Sequence, residues 1–107
     1  LLRKMKSPTI KYLQDYLKSK DYRGGVPEPY FYKLVEEVGE LSRAIFIGAP
    51  HASEDNIKGS IEEEIWDVIY YALCLANEYG IEMDKFIKLK EDYNNKRYNN
   101  NMRYDPK

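Results

Sequence analysis

Cysteine and histidine are nearly absent from this 107-residue chain, which contains one of each. Cys74 lies inside an apolar run, and His51 lies in a segment that also contains Gly, Pro and Ser. A single cysteine cannot form a disulfide within the chain, so we expect a protein of the reducing cytoplasm. The same scarcity excludes a zinc site built from Cys and His. It also excludes the di-iron bundle pattern, which needs a Glu-x-x-His motif on two helices. Because no histidine is available to activate Cys74, we predict a small buried apolar side chain there and not a nucleophile.

Long apolar runs and an excess of one charge are also missing. No run reaches the roughly 18 apolar residues that a membrane-spanning helix needs, and no signal peptide is visible. The formal net charge is −1, so we expect neither nucleic acid nor an anionic membrane as the main partner. A hydrophobic content of 43% and a charged content of 33% are typical of a soluble globular protein. We interpret residues 1–107 as one domain, near the lower size limit for a self-sufficient core.

Apolar spacing and capping patterns predict an all-α chain with four helices. The predicted helices cover approximately residues 8–20, 29–47, 61–79 and 84–98. Ser7 is predicted to cap the first helix, with Pro8 at its first position. Ser60 and Glu63 have the spacing of a capping box at the start of the third helix, and Gly80 is predicted to end it. Residues 99–107 show no periodicity and are predicted to form a tail.

The segment from 23 to 29 is rich in Gly and Pro and is predicted to be a loop. Two aromatic residues, Tyr30 and Phe31, follow it directly. Two interpretations remain open for this pair. Either the rings stack on a nucleotide base beside a flexible loop, or they belong to the core and the loop is only a connection.

Acidic pairs recur beside the apolar faces of the second and third predicted helices. Glu37 and Glu40 are three residues apart, and Glu64 and Asp67 repeat this spacing, so each pair lies within one helical turn. Carboxylates at the edge of a core are unfavourable unless they are paired or bind a cation. No Lys or Arg repeats at a matching spacing to neutralise them. The pattern therefore favours one shared ion, and all-carboxylate ligation indicates Mg²⁺ or Mn²⁺. The alternative is a solvated face, because Glu is common on exposed helices.

Several of these residues also carry a family resemblance. Glu36-Glu37-x-x-Glu40 followed by Glu64-x-x-Asp67 resembles the EExxE…ExxD signature of the MazG-like, all-α nucleoside triphosphate pyrophosphohydrolases. Residues 34–41 resemble the second helix of that family, and the resemblance extends over residues 23–98. Arg43 stands where many members have another Glu, which leaves the number of metal ions open.

The resemblance implies a four-helix MazG-like bundle with the acid pairs on its second and third helices. It implies hydrolysis of a nucleoside triphosphate between the α- and β-phosphates, giving a monophosphate and pyrophosphate, a reaction suited to housecleaning of the nucleotide pool. The implied Mg²⁺ ligands are Glu37, Glu40, Glu64 and Asp67, and Glu36 is a further acid that could orient the attacking water. The implied substrate contacts are Tyr71, where many members have Tyr, and a closing motif made by Lys90, Asn94, Arg97 and Tyr98.

The third predicted helix is apolar nearly all round after Asp67, so it should be buried on several sides. A chain of this size has little else to cover it, and we expect a homodimer or homotetramer, as in relatives, with Trp66 at the interface. Two other functions remain possible. One is a phosphoribosyl-ATP pyrophosphohydrolase, which has similar acid pairs, although Val38-Gly39-Glu40-Leu41 fits the MazG-like branch better. The other is a non-catalytic helical oligomerisation module with a structural ion. The preferred base and sugar are open.

Overall fold

The computed structural model describes residues 5–106, which contain four α-helices. They are α1 (Ile10–Lys20), α2 (Glu28–Phe46), α3 (Ile61–Glu78) and α4 (Met83–Arg97). No strand occurs in this part of the chain, although Ser53 and Asn56 form an isolated bridge in the loop after α2. The prediction of an all-α chain with four helices is confirmed. Residues 1–4 and 107, which belong to the predicted domain and tail, lie outside the described residues.

The ends of the helices lie within about two residues of the predicted ends. One predicted cap is wrong, because Thr9 and not Ser7 caps α1: the Thr9 hydroxyl accepts a hydrogen bond from the backbone N–H of Tyr12 at 2.9 Å. A hydroxyl at this position satisfies an N–H that has no partner inside the helix. Pro8 therefore precedes the helix instead of opening it.

The predicted start and end of α3 are confirmed. The Ser60 hydroxyl accepts a hydrogen bond from the Glu63 backbone N–H at 3.1 Å. The Glu63 carboxylate in turn accepts one from the backbone N–H of Gly59 at 2.7 Å, one residue earlier than in a standard capping box. Gly80 follows the helix with a φ of +67°, the left-handed conformation that ends many helices.

The core is small and lies where three helices meet. Its buried members are Leu17, Tyr30, Leu73 and Cys74. The α2 and α3 helices pack along each other, α1 packs on α3, and α4 packs mainly against α1. Cys74 is fully buried, and burial raises the pKa of its thiol to about 12. The prediction of a buried, unreactive cysteine agrees with this position.

Much of the apolar surface remains uncovered in the single chain. Val38 and Ile45 of α2 and Ile69 of α3 are large apolar residues, yet they are 49%, 65% and 41% exposed. The radius of gyration is 16.3 Å, compared with about 13 Å for a compact domain of similar length. The helices of the described chain are all too short or too polar to cross a membrane. The predicted burial of α3 on several sides is therefore not achieved within one chain.

Candidate metal centre

Three carboxylates from α2 and α3 converge on one point. Glu37 comes from α2, while Glu64 and Asp67 lie one turn apart on the facing side of α3. Each contributes one oxygen to a group in which all three oxygens lie within 4.8 Å of one another. The Glu37 side chain is only 13% exposed. The structure thus brings together three of the four carboxylates that the sequence predicts as metal ligands. We call these three residues the acid cluster.

The acid cluster is electrostatically strained. Burial raises the pKa of all three carboxyls, and the charge of Asp67 raises the pKa of Glu37 and of Glu64 further. The Oε2 atom of Glu64 is buried and has no hydrogen-bond partner. A buried polar oxygen without a partner is unfavourable, and a hard divalent cation is the partner that carboxylate oxygens fit best. The donor set therefore suits Mg²⁺ or Mn²⁺.

The other two acids of the signature lie outside the cluster. Glu40 is exposed, but its charge is close enough to raise the pKa of Glu64, after burial and Asp67. Glu36 is 60% exposed at its side chain and accepts a hydrogen bond from Lys33 at 3.0 Å. The roles predicted for these residues, metal ligand for Glu40 and orienting base for Glu36, stay predictions.

The charges of two lysines, Lys33 and Lys58, act on the acid cluster. Neither was predicted from the sequence to belong to the site. The Nζ atom of Lys33 lies 3.9 Å from a carboxylate oxygen of Glu37. Burial has the largest effect on the pKa of Asp67 and raises it, while the charges of Lys58 and Lys33 lower it. The expectation that no cation would neutralise these acids is therefore wrong for Glu37. Lys33 precedes Glu37 by four residues, so the spacing was visible in the sequence, whereas Lys58 lies in a loop without periodicity.

Tyr71 lies beside the cluster in an aromatic group. Its ring centroid is 5.6 Å from Lys33 Nζ, 6.3 Å from the Tyr30 ring and 4.9 Å from the Tyr70 ring. The hydroxyls of Tyr30 and Tyr70 both donate hydrogen bonds to Asp21, at the end of α1. Asp21 thereby connects α1 to α2 and α3 and holds the two rings that pack against Tyr71.

The two aromatic residues after the first loop differ in burial. Tyr30 is 3% exposed and belongs to the core, whereas Phe31 is 50% exposed. A stacking role therefore remains open only for Phe31.

The residues of the predicted closing motif are not brought to the acids within one chain. Lys90 lies 5.6 Å from the ring centroid of Tyr93 on α4, and Arg97 lies 5.3 Å from that of Tyr98, the residue that follows α4. Asn94 is partly buried on the same helix. Because α4 packs mainly against α1, no ion pair joins Lys90 or Arg97 to the acid cluster in the part of the chain that is described. Their contact with substrate stays a prediction.

A model of the MazG nucleotide pyrophosphohydrolase domain matches residues 27–100. The chain belongs to the MazG family. The match includes α2, α3 and α4 with the whole acid cluster, and it nearly coincides with the range of the predicted resemblance. It begins after α1 and therefore after Asp21.

Two solved structures of iMazG from Vibrio DAT 722 resemble this MazG-family chain closely. The N-terminally tagged form is 43% identical with a TM-score of 0.78, and the match covers 86% of this chain and 99% of that one. The C-terminally tagged form is 43% identical with a TM-score of 0.74, covering 82% of this chain and 98% of that one. The predicted MazG-like fold is confirmed.

A protein of Bacillus subtilis (strain 168), the uncharacterized protein YpjD, is also similar. It is 36% identical over an alignment of 73 residues, and the match covers 60% of this chain and 65% of YpjD. The chain therefore spans less than two thirds of YpjD.

Proposed function

We propose that this chain is a Mg²⁺-dependent nucleoside triphosphate pyrophosphohydrolase that cleaves between the α- and β-phosphates. The observation that carries the proposal is the convergence of Glu37, Glu64 and Asp67 within 4.8 Å, with Glu64 Oε2 buried and without a partner. A merely solvated acidic face would keep its carboxylate oxygens in water and apart. Membership of the MazG family supports nucleotide pyrophosphates as the substrate class.

The residues divide into three proposed roles. Glu37, Glu64 and Asp67 hold the cation, and Glu40 joins them by rotation of its exposed side chain on the next turn of α2. A Mg²⁺ ion held by these carboxylates would supply positive charge that offsets the negative charge developing as the anhydride bond breaks. Glu36 accepts a proton from the attacking water or orients it.

Tyr71 is the proposed substrate contact on α3. Its ring is held between the core and Lys33, so its hydroxyl needs little reorganisation to donate to a sugar or phosphate oxygen. Burial raises the pKa of Tyr71, although the charge of Lys33 opposes this. The hydroxyl therefore keeps its proton at neutral pH and acts as a donor.

The proposed enzyme is a homodimer or homotetramer. The large radius of gyration and the exposed apolar residues of α2 and α3 support this. In this proposal the closing motif on α4, Lys90, Asn94, Arg97 and Tyr98, reaches the phosphates from a second copy or through a movement of α4. Two cations with an amide and a phenol suit phosphate and sugar oxygens.

The decisive experiment is pyrophosphate release from a panel of ribo- and deoxyribonucleoside triphosphates and phosphoribosyl-ATP, with Mg²⁺ or EDTA. We expect Mg²⁺-dependent release from at least one nucleoside triphosphate and none by the Glu64→Gln variant. Glu82→Gln is the matched control, because Glu82 lies beyond the far end of α3. Release from phosphoribosyl-ATP alone would favour that alternative. A Mg²⁺-dependent melting temperature without any turnover would favour a structural ion in a non-catalytic module.

A further inference from the structure

Lys33 holds a partly exposed ammonium group at the edge of the acid cluster. Its Nζ lies 3.0 Å from Glu36 and 3.9 Å from Glu37, and 5.6 Å from the Tyr71 ring centroid. The Lys33 side chain is 44% exposed. It is therefore neither buried as part of the core nor free in solvent, and it lies between the acid cluster and the Tyr71 ring.

A triphosphate bound beside three or four carboxylates needs more positive charge than one divalent ion brings. Lys90 and Arg97 form no ion pair with the acid cluster within the described chain, and they lie beside the rings of Tyr93 and Tyr98. Among the described residues, Lys33 is the lysine that forms an ion pair with a member of the acid cluster, Glu37. We propose that Lys33 is a phosphate-binding residue of this site, and that Glu36 holds its ammonium at the cluster until the phosphate arrives. The inference rests on the proposed function for the identity of that ligand, a triphosphate.

The ion pair of Lys33 can be exchanged at little cost. Glu36 is 60% exposed, and exposed ion pairs contribute little to stability, so its carboxylate can return to water when Lys33 leaves it. A lysine side chain is flexible and carries three donors, which suits contact with several phosphate oxygens. A cation bound by Glu37 would also repel Lys33 from this carboxylate. Both effects direct the ammonium towards an anionic ligand.

The test compares Lys33→Met with Lys85→Met by calorimetric titration of inorganic pyrophosphate in the presence of Mg²⁺. Lys85 is a matched control, because it is also exposed and pairs with the Glu three residues before it, Glu82, at 2.8 Å. We expect Lys33→Met to weaken pyrophosphate binding about tenfold or more, since a charge-assisted contact is lost. Lys85→Met should bind as the wild type does, and Lys33→Arg should restore part of the affinity.

A second measurement separates phosphate binding from a structural role. The rise in melting temperature with Mg²⁺ alone should persist or increase in Lys33→Met, because a cation that repels the metal is removed. Loss of this response together with pyrophosphate binding would show a damaged acid cluster and overturn the inference. Wild-type affinity in Lys33→Met would overturn it too, as would absence of Mg²⁺-dependent pyrophosphate binding by the wild type.

Failure of the inference can be distinguished from failure of the proposed function. If the wild type hydrolyses triphosphates while Lys33→Met keeps full pyrophosphate affinity, the function stands and the role of Lys33 falls. If no triphosphate is hydrolysed but pyrophosphate binding depends on Lys33, the phosphate site stands without the activity.

Discussion

The backbone N–H of Gly25 donates a 2.7 Å hydrogen bond to the carboxylate of Glu78, at the end of α3. The same carboxylate accepts hydrogen bonds from the backbone N–H groups of Arg23, at 2.7 Å, and Val26, at 2.9 Å. Glu78 is only 6% exposed, and Gly25 has a φ of +96° that favours glycine. One buried carboxylate thus fixes the loop between α1 and α2, which leads into the helix that carries Glu37.

Glu78 should make stability depend on pH. Burial raises the pKa of its carboxyl, but the three backbone donors together lower it below the ordinary value. A lowered pKa in the folded state adds stability above the unfolded pKa of roughly 4.3, and this contribution is lost as the pH falls through the folded value. We expect Glu78→Gln to reduce the free energy of unfolding at pH 7 by about 2 kcal/mol, measured by urea denaturation at fixed protein concentration.

The effect of Glu78→Gln should shrink below about pH 4, where the wild-type carboxylate loses its advantage. Glu82→Gln serves as the control, since this exposed residue pairs with exposed Lys85 and should matter by less than about 1 kcal/mol. Equal effects of the two substitutions at pH 7 would contradict the anchoring role of Glu78.

The acid cluster predicts opposite effects of one substitution on the metal-free and metal-bound protein. Glu64→Gln removes a partly buried charge that repels its neighbours, so the melting temperature in EDTA should stay the same or rise. The wild-type melting temperature should increase with Mg²⁺ concentration, and this increase should be reduced in the variant. Differential scanning fluorimetry measures both. A Glu64→Gln protein that responds to Mg²⁺ as the wild type does would argue against the cluster as the metal site.

The closing motif can be tested by kinetics. Lys90→Ala and Asn94→Ala should each reduce kcat/KM about tenfold or more, a loss of roughly 1.4 kcal/mol of transition-state stabilisation. The response of the melting temperature to Mg²⁺ should not change. Lys88→Ala is the control on the same helix, because Lys88 is exposed and pairs with Asp92 at 2.8 Å. If Lys90→Ala and Asn94→Ala both keep wild-type kinetics, this face of α4 does not contact substrate.

Self-association is predicted from the apolar face of α3. Ile65, Ile69 and Ala72 lie on one side of this helix, and all three are exposed in the single chain. Light scattering should show at least a dimer for the wild type and a smaller average mass for Ile69→Glu. Ile57→Glu controls for the added charge, since Ile57 is 54% exposed in the loop before α3. A wild-type monomer at micromolar concentration would rule out the proposed oligomer.

Features that depend on neighbouring residues could be predicted from the sequence. The capping by Ser60 and Glu63 and the stop at Gly80 are formed within one turn, so their patterns are complete in a short window. The spacing of Glu64 and Asp67 likewise placed both on one side of α3. The prediction of the α1 cap failed because Ser7 and Thr9 are both suitable capping residues. The choice between them depends on where the chain first adopts the helical conformation.

Contacts between distant residues could not be predicted in this way. Glu78 is separated from Gly25 by 53 positions, and Tyr70 from Asp21 by 49. Periodicity within α3 shows which faces are apolar, but it does not show which backbone donors or hydroxyls lie opposite them. The exposure of Val38 and Ile45 could not be predicted either, because an apolar stripe has the same sequence pattern whether it packs against this chain or against a second copy.

The position of Asp21 means that the family boundary and the folding unit do not coincide. A protein shortened to start at Pro27 would keep every acid of the signature, yet the phenol groups of Tyr30 and Tyr70 would lose their shared acceptor. Leu17 would leave the core with the same cut. The first helix is therefore a structural part of the folding unit, although it carries none of the residues by which the family is recognised.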